Sequence, residues 1–169
     1  YGDDRVLNFP SRRTRTLCIR DRANLQGMLG VLPSYTQLGM ASLLPHEELK
    51  INDSGKVEID GKVVTSTNRG EFIQAKVADS AAIQAEELMK MTKDEGREFI
   101  KDKKLIYVYH NQIDNIGDTA GTELRTFEAV EDTLVEMDKM IKFILNSLQV
   151  SRLLITADHG FLYQVDAMS

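Results

Sequence analysis

The chain has 169 residues, 42% of them hydrophobic, enough to close one sizeable core and giving no argument for a second independent domain. A net charge of -5 excludes a whole-domain electrostatic footprint for nucleic acid or a membrane surface, and the run Arg12, Arg13, Arg15, Arg20 and Arg22 reads as a solvated stretch. The single Cys18 excludes an intrachain disulfide and a thiolate zinc cluster, so any metal must use oxygen and nitrogen ligands.

In chain order, residues 1–24 show no sustained period and read as an irregular N-terminal segment, and residues 25–169 as one partial α/β domain. Leu25, Met28, Leu29 and Leu32 keep helical spacing up to Pro33. A second helix is predicted over Leu38, Met40, Ala41, Leu43 and Leu44, capped by Ser34 or Thr36 and stopped at Pro45. Alternation around Asp60-Gly61 predicts a small β-hairpin, an insertion of about residues 51–66. Residues 70–92 read as helical, with a start at Asp79 or Ser80 and Ala82, Ile83, Ala85, Leu88 and Met89 on one side; Gly96 then breaks the pattern.

Residues 105–109 read as a strand, 122–148 as a long amphipathic helix, and 153–156 as a second strand. Strand, helix, strand at this spacing predicts a βαβ unit with parallel strands, hence a parallel-sheet core with flanking helices. No apolar run approaches the roughly 18 residues of a membrane span, and no secretory signal opens the chain; the expected address is cytoplasmic. The start at Tyr1 and the stop soon after an apparent strand at 161–163 read as a piece of something longer.

Both predicted strands run into groups that can hold a metal. The first leads to His110-Asn111-Gln112-Ile113-Asp114-Asn115-Ile116-Gly117-Asp118, the second to Asp158-His159-Gly160. In open α/β sheets ligands bind outside the carboxyl ends of the strands, so Asp114, Asp118, Asp158 and His159 fall on one edge. Mixed O and N ligation of this kind suits Zn²⁺ or Mn²⁺. Each cluster alone has a plainer reading, Asp114 and Asp118 in an Asx-rich loop and Asp158-His159 in a strand-ending turn; their joint position favours a metal site. Thr36, at a helix start, reads on spacing alone as a cap, and as a nucleophile only beside such a site.

Three stretches together resemble the PglZ domain of the alkaline phosphatase superfamily, found in phage-defence systems of the Pgl and BREX type. They are Leu32-Pro33-Ser34-Tyr35-Thr36-Gln37-Leu38-Gly39-Met40-Ala41 with Leu43-Leu44-Pro45-His46, then Tyr109-His110-Asn111-Gln112-Ile113-Asp114 with Gly117-Asp118, and Thr156-Ala157-Asp158-His159-Gly160-Phe161. The resemblance implies an alkaline-phosphatase-like fold and a two-metal phosphoryl-transfer site for phosphate mono- or diesters, with Thr36 as nucleophile and Asp158 and His159 on the same metal. It implies Asp114 and Asp118 on the other metal, Asp118 standing where related phosphomutases carry His.

Two departures accompany it. Residues 1–24 contain no apolar strand leading into an Asp, and no histidine follows His159, so each implied metal is one ligand short. The expectation is therefore an incomplete domain, inactive in isolation, belonging to a metal-dependent hydrolase. The alternative is a non-catalytic module that contacts other defence-system proteins or DNA.

Overall fold

A computed structural model describes residues 24–111 and 126–160; the arginine run, Cys18 and the expected strand at 161–163 lie outside the described residues. In chain order, helix α1 (Thr36–Ser42) leads into a three-stranded antiparallel meander, β1 (Leu49–Ile51), β2 (Val57–Ile59) and β3 (Lys62–Val63). Helix α2 (Arg69–Lys76) precedes β4 (Ser80–Gln84), and helices α3 (Ala85–Lys90) and α4 (Lys93–Ile100) connect it to β5 (Leu105–Tyr109). Helix α5 (Thr126–Lys142) runs into a π-helical turn, Phe143–Ser147. The class is mixed α/β, with one parallel strand pair, flanking helices and a small antiparallel hairpin.

The hairpin forms at the Asp60-Gly61 step because both residues take positive φ, 49° and 80°, the backbone that a two-residue turn of right-handed twist requires. Asp60 does a second job: its carboxylate accepts the backbone N–H groups of Glu47 and Glu48 at 3.1 and 2.8 Å, holding the chain entering β1 against the turn. Sequence alternation had shown β2 and β3 but not β1, whose three residues carry little pattern.

The parallel pair is β4 with β5, in register from Ser80↔Leu105 to Gln84↔Tyr109. This corrects two expectations. Residues 80–84 form a strand where alanine-rich composition reads as helix, because pairing with β5 outweighs a weak intrinsic preference. Residues 153–156 join no ladder among the described residues, and Leu154 and Ile155 stay 87% and 53% exposed; apolar composition marks a strand only where a neighbouring edge supplies hydrogen bonds. The βαβ unit is thus β4, α3–α4, β5.

Side chains alternate across β5 and divide the core in two. Leu105 and Tyr107 pack with α1, the meander and α2, around Leu38, Ala41, Leu44, Ile59 and Ile73. Ile106 and Val108 pack on the other face with Ile83, Leu88, Ile144 and Leu148. Gly96 does not break the chain here. It is buried inside α4, where an added Cβ would stand 2.7 Å from Leu148 Cδ2, so the glycine lets this helix approach the π-helical turn. A Thr92–Glu95 capping box starts α4.

The expected helix over 25–32 is absent: residues 24–31 form no regular element, and Leu25, Leu29 and Leu32 are 75%, 95% and 82% exposed. Gly27 and Gly30 interrupt the spacing, each costing a helix about 1 kcal/mol relative to alanine. This segment instead runs beside 156–158, with the Thr156 hydroxyl donating to Met28 Sδ at 3.7 Å.

Candidate active site

The start of α1 meets the 156–160 segment. Tyr35, not Ser34 or Thr36, occupies the N-cap position, and it makes no side-chain cap bond. Thr36 is therefore the first helical residue, with its hydroxyl available for another partner. That partner is His159: Thr36 Oγ1 lies 3.2 Å from His159 Nε2.

The histidine's other nitrogen bears on the direction of this contact. Nδ1 lies 3.0 Å from the Gly160 carbonyl, which can only accept, so Nδ1 carries the proton. With the proton on Nδ1, Nε2 can offer its lone pair, and the Thr36 hydroxyl can donate to it. A backbone carbonyl fixing the tautomer in this way is the usual arrangement behind an imidazole that ligates a metal.

Asp158 adds a carboxylate. Its Oδ2 lies 3.6 Å from His159 Nε2, too long for a hydrogen bond, and is buried without a hydrogen-bond partner among the described residues. A buried carboxylate oxygen in that state lacks the compensation that water or a cation would give it. The donor set of Thr36 Oγ1, Asp158 Oδ2 and His159 Nε2 is one that Zn²⁺ or Mn²⁺ accepts.

Packing holds the two segments together. An added Cβ at Gly39, one turn into α1, would stand 2.5 Å from the Asp158 carbonyl oxygen, so the helix and the 156–160 segment touch backbone to backbone. At the far end of α1, the Tyr107 hydroxyl donates to the Leu43 carbonyl at 2.9 Å, tying the helix to β5.

Of the residues singled out from the sequence, Thr36, Asp158 and His159 are brought together. Asp114 and Asp118 lie outside the described residues. Among the described residues, no group of three or more His, Cys, Asp or Glu side chains gathers into a metal cluster. His110 follows β5 and sits 3.7 Å from Glu136 of α5. His46 is engaged locally, with Nδ1 donating to the Leu44 carbonyl at 2.6 Å.

Nothing in the sequence assigned a role to Arg69, and Tyr109 entered only as part of a longer stretch. The Arg69 guanidinium lies over the Tyr109 ring at 5.4 Å, and Arg69 Nε and the Tyr109 hydroxyl are both buried without a hydrogen-bond partner among the described residues. Burial raises the Tyr109 hydroxyl's pKa, and the nearby Arg69 charge partly opposes the rise. The only signal in the sequence was the place of Tyr109 at a strand's carboxyl end. Among the described residues no helix is long and apolar enough to cross a membrane.

Comparison with known proteins places these residues in a family. Residues 17–169 match the family described as PglZ, the BREX system PglZ alkaline phosphatase-like domain. The chain is 43% identical over 152 residues to the alkaline phosphatase-like protein BrxZ of Escherichia coli O9:H4 (strain HS), covering 89% of this chain and 18% of that protein. It is 40% identical over 146 residues to the alkaline phosphatase-like protein PglZ of Bacillus cereus (strain H3081.97), covering 86% of this chain and 17% of that protein. The chain thus spans less than a fifth of the length of these relatives. No solved structure matches it.

Proposed function

We propose, from the premise that this chain belongs to the PglZ family of BREX-system alkaline phosphatase-like domains, that it carries the nucleophile-bearing part of a metal-dependent hydrolase of phosphate mono- or diesters. The observation that carries the reading is the Thr36 hydroxyl held at His159 Nε2, 3.2 Å away, beside the buried Oδ2 of Asp158, which has no hydrogen-bond partner among the described residues.

Asp158 and His159 would hold one divalent ion, Zn²⁺ or Mn²⁺, and Asp114 and Asp118 are the candidates for a second. When bound, such an ion lowers the pKa of a neighbouring hydroxyl and neutralises charge on phosphate oxygens. The chain's own contribution is placement. Thr36 Oγ1 forms a bond to phosphorus as the ester P–O bond breaks, and the hydroxyl proton ends on the departing alcohol. Water then cleaves the phosphothreonine and restores the free hydroxyl. Gly39 keeps α1 in backbone contact with Asp158, so the attacking oxygen and the two ligands move as one unit. The proposed setting is a cytoplasmic phage-defence system, with other proteins of that system as partners.

The test uses the full-length protein with Zn²⁺ or Mn²⁺ on a generic phosphodiester and a generic monoester. Thr36→Ala is expected to lower kcat by about 10³-fold or more, with Thr36→Ser retaining part of it. Equal activity in wild type and Thr36→Ala removes Thr36 as the nucleophile. No metal-dependent turnover in wild type favours the non-catalytic alternative, a module contacting defence-system proteins or DNA.

A further inference from the structure

Arg69 begins α2 and Tyr109 ends β5, and the two meet with the guanidinium 5.4 Å from the ring centroid. A stacked guanidinium normally spends its N–H groups on a carboxylate or carbonyl in the plane of its fork. Here Arg69 Nε is buried without an acceptor, and Arg69 forms no ion pair among the described residues. The neighbouring Tyr109 hydroxyl is likewise buried without a partner. Two side chains in contact, one of them charged, thus each carry a buried hydrogen-bonding group without a partner among the described residues.

Their location narrows the choice of acceptor. Tyr109 is the last residue of β5, at the carboxyl end of the parallel pair, where open α/β sheets bind ligands. Tyr107, two residues earlier and on the same strand face, packs against the α1 side of the core and bonds the Leu43 carbonyl just past α1. By strand alternation Tyr109 shares the face of β5 on which Tyr107 meets the α1 side of the core.

We propose that Arg69 and Tyr109 bind a phosphate oxyanion of the substrate, the guanidinium through its N–H fork and the phenol through its hydroxyl. The inference rests on the phosphate-ester reading above for the substrate's class, and it adds a positioning pair to that site. A rival acceptor is a carboxylate of the chain's own, which would make the pair purely structural.

The experiment measures inorganic phosphate binding to the full-length protein, directly by ³¹P line broadening and by competition against hydrolysis. Arg69→Met, which keeps an aliphatic stem over the ring, is expected to weaken phosphate binding about tenfold and to raise KM more than it lowers kcat. Arg69→Lys should recover part of the loss, and Tyr109→Phe should weaken binding a few-fold with an unchanged Tm. Should Arg69→Met fail to fold, Tyr109→Phe decides, since it removes one hydroxyl and keeps the ring. Wild-type phosphate affinity in Tyr109→Phe overturns the proposal, as does wild-type affinity with a lowered Tm in Arg69→Met, the result expected for an internal ion pair. Because binding is read without turnover, an inactive Thr36→Ala protein that still binds phosphate separates the two readings.

Discussion

Gly39 of α1 faces the backbone of Asp158 at a separation that admits no side chain: a Cβ there would stand 2.5 Å from the Asp158 carbonyl oxygen and 2.9 Å from its carbonyl carbon. Replacing an interior helix glycine by alanine ordinarily stabilises by up to about 1 kcal/mol. At this position the sign should reverse, because backbone on both sides has to move apart. Gly39→Ala is expected to lose about 1–3 kcal/mol in denaturant unfolding and to lower phosphoester hydrolysis in parallel, by displacing Asp158 and His159 from Thr36. An unchanged or raised unfolding midpoint would show that the two segments separate without cost.

Gly96 provides the contrast. Its added Cβ would meet Leu148 Cδ2 at 2.7 Å and Phe143 Cζ at 3.5 Å, both ends of side chains that can turn. The helix gain of about 1 kcal/mol opposes the crowding, so Gly96→Ala should change stability by no more than about 1 kcal/mol in either direction. The same measurement on both variants checks whether contact with backbone, rather than burial, decides the outcome.

Asp60 links stability to pH. Its pKa is held below the usual carboxylate range, first by the Glu48 backbone N–H, and also by the Glu47 N–H, against some desolvation. A group whose folded pKa is depressed contributes stability that is present above its unfolded pKa and lost as pH falls through the folded value. Asp60→Asn tolerates the positive φ but removes the charge. It should therefore melt below wild type at pH 7, with the difference shrinking below about pH 4, as thermal scans across that range will show.

The sequence made some of this architecture readable and hid the rest for identifiable reasons. The Asp60-Gly61 turn was legible because its backbone conformation depends on two adjacent residues. The long helix ending near Leu148 was legible because its apolar spacing persists for several turns, although the π-helical turn at Phe143–Ser147 was not. By contrast, β4 exists through its register with β5, twenty-five residues away, and Ser-Ala-Ala-Ile-Gln has no local signature for that pairing. At the site, Thr36 could not be told from a helix cap until Tyr35 was seen in the cap position and His159 beside the hydroxyl. Arg69 was illegible in principle, since its contact is with a ring forty positions on and its buried Nε has no partner among the described residues.

Asp158 supplies the test for a cation. Its Oδ2 is buried without a hydrogen-bond partner among the described residues, so in cation-free protein the carboxylate is a liability that a bound divalent ion would offset. Asp158→Asn keeps the shape and removes the charge. It should leave the Tm of chelator-treated full-length protein unchanged or raise it, while abolishing the rise that Zn²⁺ or Mn²⁺ produces in wild type. For an ion at one hundred times its Kd that rise corresponds to about 2.7 kcal/mol. The opposite pattern, a lower metal-free Tm with the metal-induced rise intact, would mean that Asp158 holds the turn together and that the ion binds elsewhere. Only a ligand is expected to be dispensable for folding and required for the metal's stabilisation.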